Sequence, residues 1–392
     1  MSEAYIVSAL RTAGGRRGGR LAGWHPVDLA ATLIDGLVAR TKASPETVDD
    51  VILGCVGQVG EQAANVARNA VLASSLPESV PGTSVDRQCG SSQQALHFAA
   101  QAVMSGSMDI VIAGGVESMT RVPMGSPLTL AKKADMGIYM SSGIRQRYPQ
   151  TELFSQFEGA EMVAAKYGIE RGALDEFALE SHQRAIRATQ TGAFEDEILP
   201  VSVLDPESGE QIVHTVDEGI RFDATLDSIA GVKLLAENGR ISAATASQIC
   251  DGASGVMVVS EAGLKRLGVE PLARIHHMSV MGHDPVIMLE APLPATHRAL
   301  DRAGMTIDDI DLFEVNEAFA PIPLAWLQST GADAQKMNVN GGAIALGHPL
   351  GASGTKLMTT LVHALKARAG RYGLQTMCEG GGMANVTIIE RL

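Results

Sequence analysis

At 392 residues the chain is too long for one simple core and suits two or three domains. A net charge of -13 and an aromatic content of 4% argue against nucleic acid, which calls for basic grooves and stacking rings, and against an anionic membrane surface. Four cysteines are too sparse for a disulfide framework, and none has zinc-ligand spacing, so no metal is expected.

Tyr5-Ile-Val-Ser-Ala9 reads as a first strand. The arginines that follow it stand on the wrong side of the apolar stretch for a secretory signal. No apolar run approaches the ~20 residues of a membrane span, and Glu390-Arg-Leu392 lacks the peroxisomal tripeptide. A cytoplasmic enzyme is the expectation. Val51-Ile-Leu53, Ile110-Val-Ile-Ala113 and Val386-Thr-Ile-Ile389 are short apolar runs of the kind that form buried strands, and they alternate with helix-like stretches, which favours an α/β fold. After Cys89, the residues Ala95, Leu96, Ala99, Ala102 and Val103 recur at helical spacing, placing Cys89 at a strand-to-helix turn.

The two ends of the chain echo each other. Thr47-Val-Asp-Asp-Val-Ile-Leu53 matches Thr306-Ile-Asp-Asp-Ile-Asp-Leu312. Cys89 follows the first motif, and His348 the second, at nearly equal distances. A duplication predicts that the two residues meet from equivalent points of two halves. Between the halves, roughly residues 120–246, patterns are irregular and charge is richer. Glu158 to Ala165 and Leu174 to Ser181 read as helices there. So long an insertion points to a lid or binding element. Its cations Lys132, Arg145, Arg221 and Lys233 are candidates for holding a phosphorylated small molecule.

Three loops carry the chemistry. Asn338-Val-Asn-Gly-Gly-Ala-Ile-Ala-Leu-Gly-His-Pro-Leu-Gly-Ala-Ser-Gly354 presents His348; Val85-Asp-Arg-Gln-Cys-Gly-Ser-Ser92 presents Cys89; Cys378-Glu-Gly-Gly-Gly382 presents Cys378. Read locally, each has an ordinary alternative. A free cysteine is often a small buried hydrophobe, and a lone histidine is often structural. Polar neighbours favour the chemical reading for Cys89, where a helix N-terminus and an imidazole are expected to lower the thiol pKa. Cys55 and Cys250 lack such surroundings and read as packing residues.

Together with Asn316-Glu-Ala-Phe-Ala320, these segments resemble the thiolase family, from the first strand to the last residues. The resemblance implies a five-layered αβαβα core built from two βαβαβαββ repeats. Residues 1–119 with 247–270 would form the N-terminal repeat, 271–392 the C-terminal repeat, and 120–246 a loop domain that covers the site and holds coenzyme A. It implies CoA-dependent thiolytic cleavage of a 3-ketoacyl-CoA in β-oxidation, with coenzyme A and acetyl-CoA as substrates and no permanently bound cofactor. Cys89 would carry the acyl group and Cys378 would move the proton at C2. His348 and a water held by Asn316 would form one oxyanion hole, and the amides of Cys89 and Gly380 the other. Arg221, Ser247, Met288, Ala318 and Phe319 match coenzyme A contacts. A homodimer or homotetramer is implied.

Two positions depart from the family pattern. Asp86 stands where asparagine is usual, and would oppose a thiolate unless a cation such as Arg87 pairs with it. Ala384 stands where a further glycine is usual, and would restrict a turn needing positive φ. Glu117-Ser-Met-Thr-Arg-Val-Pro-Met124 and Ser155-Gln-Phe-Glu-Gly-Ala-Glu161 are unlike short-chain biosynthetic members and closer to degradative ones, including those for ring-bearing acyl chains. An acetoacetyl-CoA thiolase is the alternative. Cys378 with its three glycines argues against a ketoacyl synthase, and the full set of polar residues against a non-catalytic acyl-CoA binder. A cysteine hydrolase would show itself by hydrolysis without coenzyme A.

Overall fold

The structure is a computed structural model that describes residues 3–206 and 208–392. The first half opens with β1 (Tyr5–Arg11) and a short β2 (Gly15–Arg16). It continues through α1 (Pro26–Thr41), β3 (Asp50–Gly54), α2 (Val66–Ala73), β4 (Gly82–Val85), α3 (Ser91–Met104) and β5 (Ile110–Ser118). The middle stretch holds α4 (Ser126–Lys133), α5 (Ser142–Arg147), α6 (Gln156–Lys166) and α7 (Arg171–Gln190). A small hairpin, β6 (Val201–Leu204) with β7 (Gln211–His214), and α8 (Leu226–Ala230) complete it. Then come β8 (Cys250–Val259), α9 (Glu261–Leu267), β9 (Ala273–Gly282), α10 (Pro292–Ala303), β10 (Leu312–Val315) and α11 (Pro321–Thr330). The chain ends with α12 (Ala343–Leu346), α13 (Ser353–Ala367), β11 (Tyr372–Glu379) and β12 (Met383–Glu390).

Strand pairing bears out the duplication. One half runs β1-β8-β5-β3-β4, with β3 parallel to β5 and β4 and the rest antiparallel. The other runs β9-β12-β11-β10 with the same alternation, and Met337 bridges β10 where a fifth strand would lie. A two-residue contact between β1 and β9 joins them.

The apolar strands are apolar throughout because both faces are covered. Val51 and Leu53 of β3 face the core beneath α1 and α2, whereas Ile52 between them faces α3 and α13. In the other half, Leu374, Val386 and Ile388 face α10 and α11, with Trp326 donating to Thr296 Oγ1 at 2.8 Å. The order is therefore helices, sheet, α3 with α13, sheet, helices: the five layers that the resemblance implies. Helices α3 and α13 touch strands of both halves and each other. Their crossing is close because Gly354 has no side chain; a Cβ there would lie 2.2 Å from the backbone nitrogen of Gln93. Cys89 and His348 precede these two helices.

Candidate active site

Cys89 sits between β4 and α3, on a bend where Gln88 takes a left-handed φ of 50°. Few side chains adopt this conformation, and it is held here by local bonds. The Gln88 amide donates to Asp86 Oδ1 at 2.7 Å, and Ser91 Oγ accepts from the Arg87 amide at 2.9 Å. The bend aims the thiol inward, where Cys89 is 8% exposed. Cys378 is the penultimate residue of β11 and is fully buried. It lies close enough that charge on Cys89 raises its own pKa. The amides of Cys89 and Gly380, from separate segments, both favour the anion at Cys89.

Asn316 follows β10, and its amide donates to Thr376 O at 3.1 Å, two residues from Cys378. Its side-chain nitrogen and oxygen are both buried without a partner. Nε2 of His348 is in the same condition, whereas its Nδ1 bonds Ser353 Oγ at the start of α13. Buried polar atoms are rarely left unpaired in a stable fold. Here the orphans belong to the two residues that the resemblance implies for an oxyanion hole.

Buried charges fix the His348 loop. Glu117 accepts from the amides of Gly351 at 2.8 Å, Val56 at 2.9 Å and Gly57 at 2.9 Å, and from Gln62 Nε2 at 2.8 Å. Glu317 accepts from Ser181 Oγ, Asn338 Nδ2 and the Ile344 amide. Lys356 donates to Leu346 O and pairs with Asp217 at 3.5 Å. Gly347 has φ +80°, and Cys250 fills the space where its side chain would stand, 2.7 Å from the Cβ position. Cys250 and Cys55 are buried and packed as expected.

The electrostatics correct one expectation. The Cys89 pKa is not lowered but pushed up to about 12. Burial is the main cause and the Glu379 charge the next; the two amides favour the anion and are outweighed. Burial, with Lys356 nearby, holds His348 neutral, at about 3. The resting pair is thus thiol and imidazole. The two departures have different outcomes. Asp86 bonds Gln88, forms no ion pair with Arg87 among the described residues, and its charge adds to the rise at Cys89, as expected of an unpaired carboxylate. Ala384 lies within β12 opposite Cys378, and the positive φ values fall on Gly381 and Gly382 instead.

Of the cations in the middle stretch, only Arg221 lines the cleft of about 400 Å³ formed with His182, Ser228, Ala243, Gln248 and Ile344. Lys132, Arg145 and Lys233 are exposed and outside it. Ser247 lies beside the cleft, its amide donating to Ala318 O at 3.0 Å. Phe319 stacks edge-on with Phe157 at 5.5 Å, and Met288 is buried nearby with φ 51°. Phe157, Met162 and Leu235 line a second cleft of about 920 Å³. Among the described residues no helix is long and apolar enough to cross a membrane, and no cluster of three His, Cys, Asp or Glu is placed to hold a metal.

Sequence reasoning passed over Ser353, whose hydroxyl bonds His348 Nδ1, and Glu379. The signal for Glu379 was the lone charge that closes a strand otherwise free of charge.

Comparison with known proteins agrees with this geometry. The family described as "Thiolase, N-terminal domain" matches residues 4–262, and "Thiolase, C-terminal domain" matches 269–391. The steroid 3-ketoacyl-CoA thiolase FadA6 of Mycobacterium tuberculosis is 52% identical over 394 residues, covering 100% of this chain and 95% of the relative. A 3-ketoacyl-CoA thiolase of Pectobacterium carotovorum is 42% identical, with 100% of both chains covered. The crystal structure of a Bacillus anthracis acetyl-CoA acetyltransferase superposes with a TM-score of 0.90 at 35% identity, covering 100% of this chain and 99% of that one.

Proposed function

The chain belongs to the thiolase family of acyltransferases, and we propose that it is a degradative 3-ketoacyl-CoA thiolase accepting bulky, ring-bearing acyl chains. The observation that carries the chemistry is the set of buried, unpartnered polar atoms on Asn316 and His348, with Asn316 bonded to β11 two residues from the buried Cys378. The bulky-chain reading draws support from the 52% identical steroid 3-ketoacyl-CoA thiolase and from the wide apolar cleft along Phe157, Met162 and Leu235.

In this reading Cys89 gives its proton to the neutral His348 as its sulfur attacks C3 of the substrate. The C3 oxygen takes up charge facing the amides of Cys89 and Gly380. The C2–C3 bond then breaks. His348 and a water on Asn316 hold the thioester oxygen of the acetyl-CoA enolate, and Cys378 protonates its C2. Acetyl-CoA leaves, the thiol of coenzyme A gives its proton to the Cys378 thiolate as its sulfur attacks the Cys89 thioester, and the shortened acyl-CoA departs as His348 returns its proton to Cys89. Residues 120–246 act as the loop domain, with Arg221 near the nucleotide and Ser247, Met288, Ala318 and Phe319 along the pantetheine. The protein works in the cytoplasm as a homodimer or homotetramer.

The test is thiolysis of acetoacetyl-CoA, a long straight-chain 3-ketoacyl-CoA and a ring-bearing one, with the mass of Cys89 recorded with and without coenzyme A. Cleavage of the ring-bearing substrate, with its shortened acyl group trapped on Cys89, is expected. Activity on acetoacetyl-CoA alone would favour the second reading, which the likeness to the acetyltransferase structure supports.

A further inference from the structure

Glu379 has no part in the chemistry above and no packing role that suits a carboxylate. It is fully buried, and neither oxygen has a hydrogen-bond partner. Alternation along β11 turns it away from Cys378, onto the face where Gln375 bonds Gly354 of α13. There it lies under the turn that carries the nucleophile. A Cβ added to Gly90 would stand 1.9 Å from Glu379 Oε1 and 2.8 Å from Asn385 Oδ1. Asn385 Oδ1 also lacks a partner. Two acceptors crowded against one backbone carbon, with no donor to either, are costly. A proton on Glu379 supplies the missing donor.

Few charged groups face this carboxyl. The turn before α3 contributes Arg87, which favours the anion, together with Asp86 and the Cys89 thiol; β11 contributes Cys378, and β12 only the neutral Asn385. Burial outweighs Arg87 and raises Glu379 to about 8. After burial, charge on Glu379 is the largest cause of the raised Cys89 pKa.

We propose that Glu379 is a positioning residue that shares one negative charge with the nucleophile: it keeps its proton whenever Cys89 is a thiolate, and its ionisation returns Cys89 to the thiol. Two anions this close oppose each other, so the pair loses its protons in two separated steps. The inference rests on Cys89 being the nucleophile, and not on which acyl chain is cleaved.

The experiment is the rate of Cys89 alkylation by iodoacetamide from about pH 6 to about pH 11, read by peptide mass on the intact protein. The wild type is expected to show two titrations. Glu379→Gln, neutral and of the same shape, is expected to move the profile about one pH unit lower, making alkylation roughly tenfold faster where the thiolate is scarce. Glu379→Met serves if the glutamine variant does not fold. Coincident profiles for wild type and variant, or slower alkylation in the variant, would overturn the proposal. So would a single simple titration in the wild type, a result that needs no variant. Alkylation uses no acyl-CoA, so this test and the substrate panel fail independently.

Discussion

The loop that presents His348 and the turn that presents Cys89 precede the same pair of central helices, yet they are held in opposite ways. Glu117, Glu317 and Lys356 each fasten the histidine loop through its backbone, and the ring is bonded at Nδ1. The cysteine turn is held by its own short-range bonds, and the buried charge beside it, Glu379, bonds nothing. In the proposed mechanism this difference follows the work each residue does. There the imidazole exchanges a proton and holds an oxygen, so a fixed ring suffices. The sulfur there changes charge and covalent state, so its surroundings must tolerate thiol, thiolate and thioester.

The comparison breaks first if Cys89 is dispensable. Cys89→Ala is expected to lower thiolysis by about 10⁴-fold or more while leaving coenzyme A binding intact, as loss of a covalent nucleophile does. Steady-state rates with calorimetric binding would check it, and near-normal turnover would dismiss the acyl-enzyme. The next contrast sets the two glutamates against each other by denaturant unfolding. Glu117→Ala strips four donors, three of them buried, of their acceptor and is expected to cost about 3–5 kcal/mol. Glu379→Gln removes no formed bond, so its effect on stability near neutrality is expected to stay within about 1 kcal/mol of zero. Equal losses from both would erase the distinction. A further contrast lies on the acid side. His348 and His97 at about 3, and His182 at about 4, lie below the ordinary imidazole value of 6.5. The unfolded chain therefore takes up protons that the fold refuses, and stability is lost as pH falls from 6.5 toward those values. A melting temperature unchanged from pH 7 to about pH 4 would contradict the burial of all three.

Much of this was legible from the residues. Alternation-free apolar runs at Val51, Ile110 and Val386 became strands covered on both faces, and the paired Thr-x-Asp-Asp motifs led to two sheets of mirrored order. Glycine-flanked Cys89, His348 and Cys378 could be picked out because bent, ligand-accessible loops leave a local trace. The missed features depend on residues distant in the chain. The Cys89 pKa is set by Glu379, 290 positions later, and by burial that no local window reveals. Asp86 had an adjacent arginine to tempt it, but the left-handed Gln88 offered a nearer donor. Ala384 looked like part of a turn because the triple glycine precedes it, whereas the chain had already re-entered the sheet.

Gly354 gives the architecture a tolerance limit. Its absent Cβ would collide with the backbone of Gln93 at 2.2 Å, and backbone cannot step aside as a side-chain tip can. A single methyl group at this crossing would wedge α3 from α13 and carry the thiol and the imidazole apart with them. The separation of two reactive groups contributed by different halves of the chain is thus gauged at a point that neither group touches.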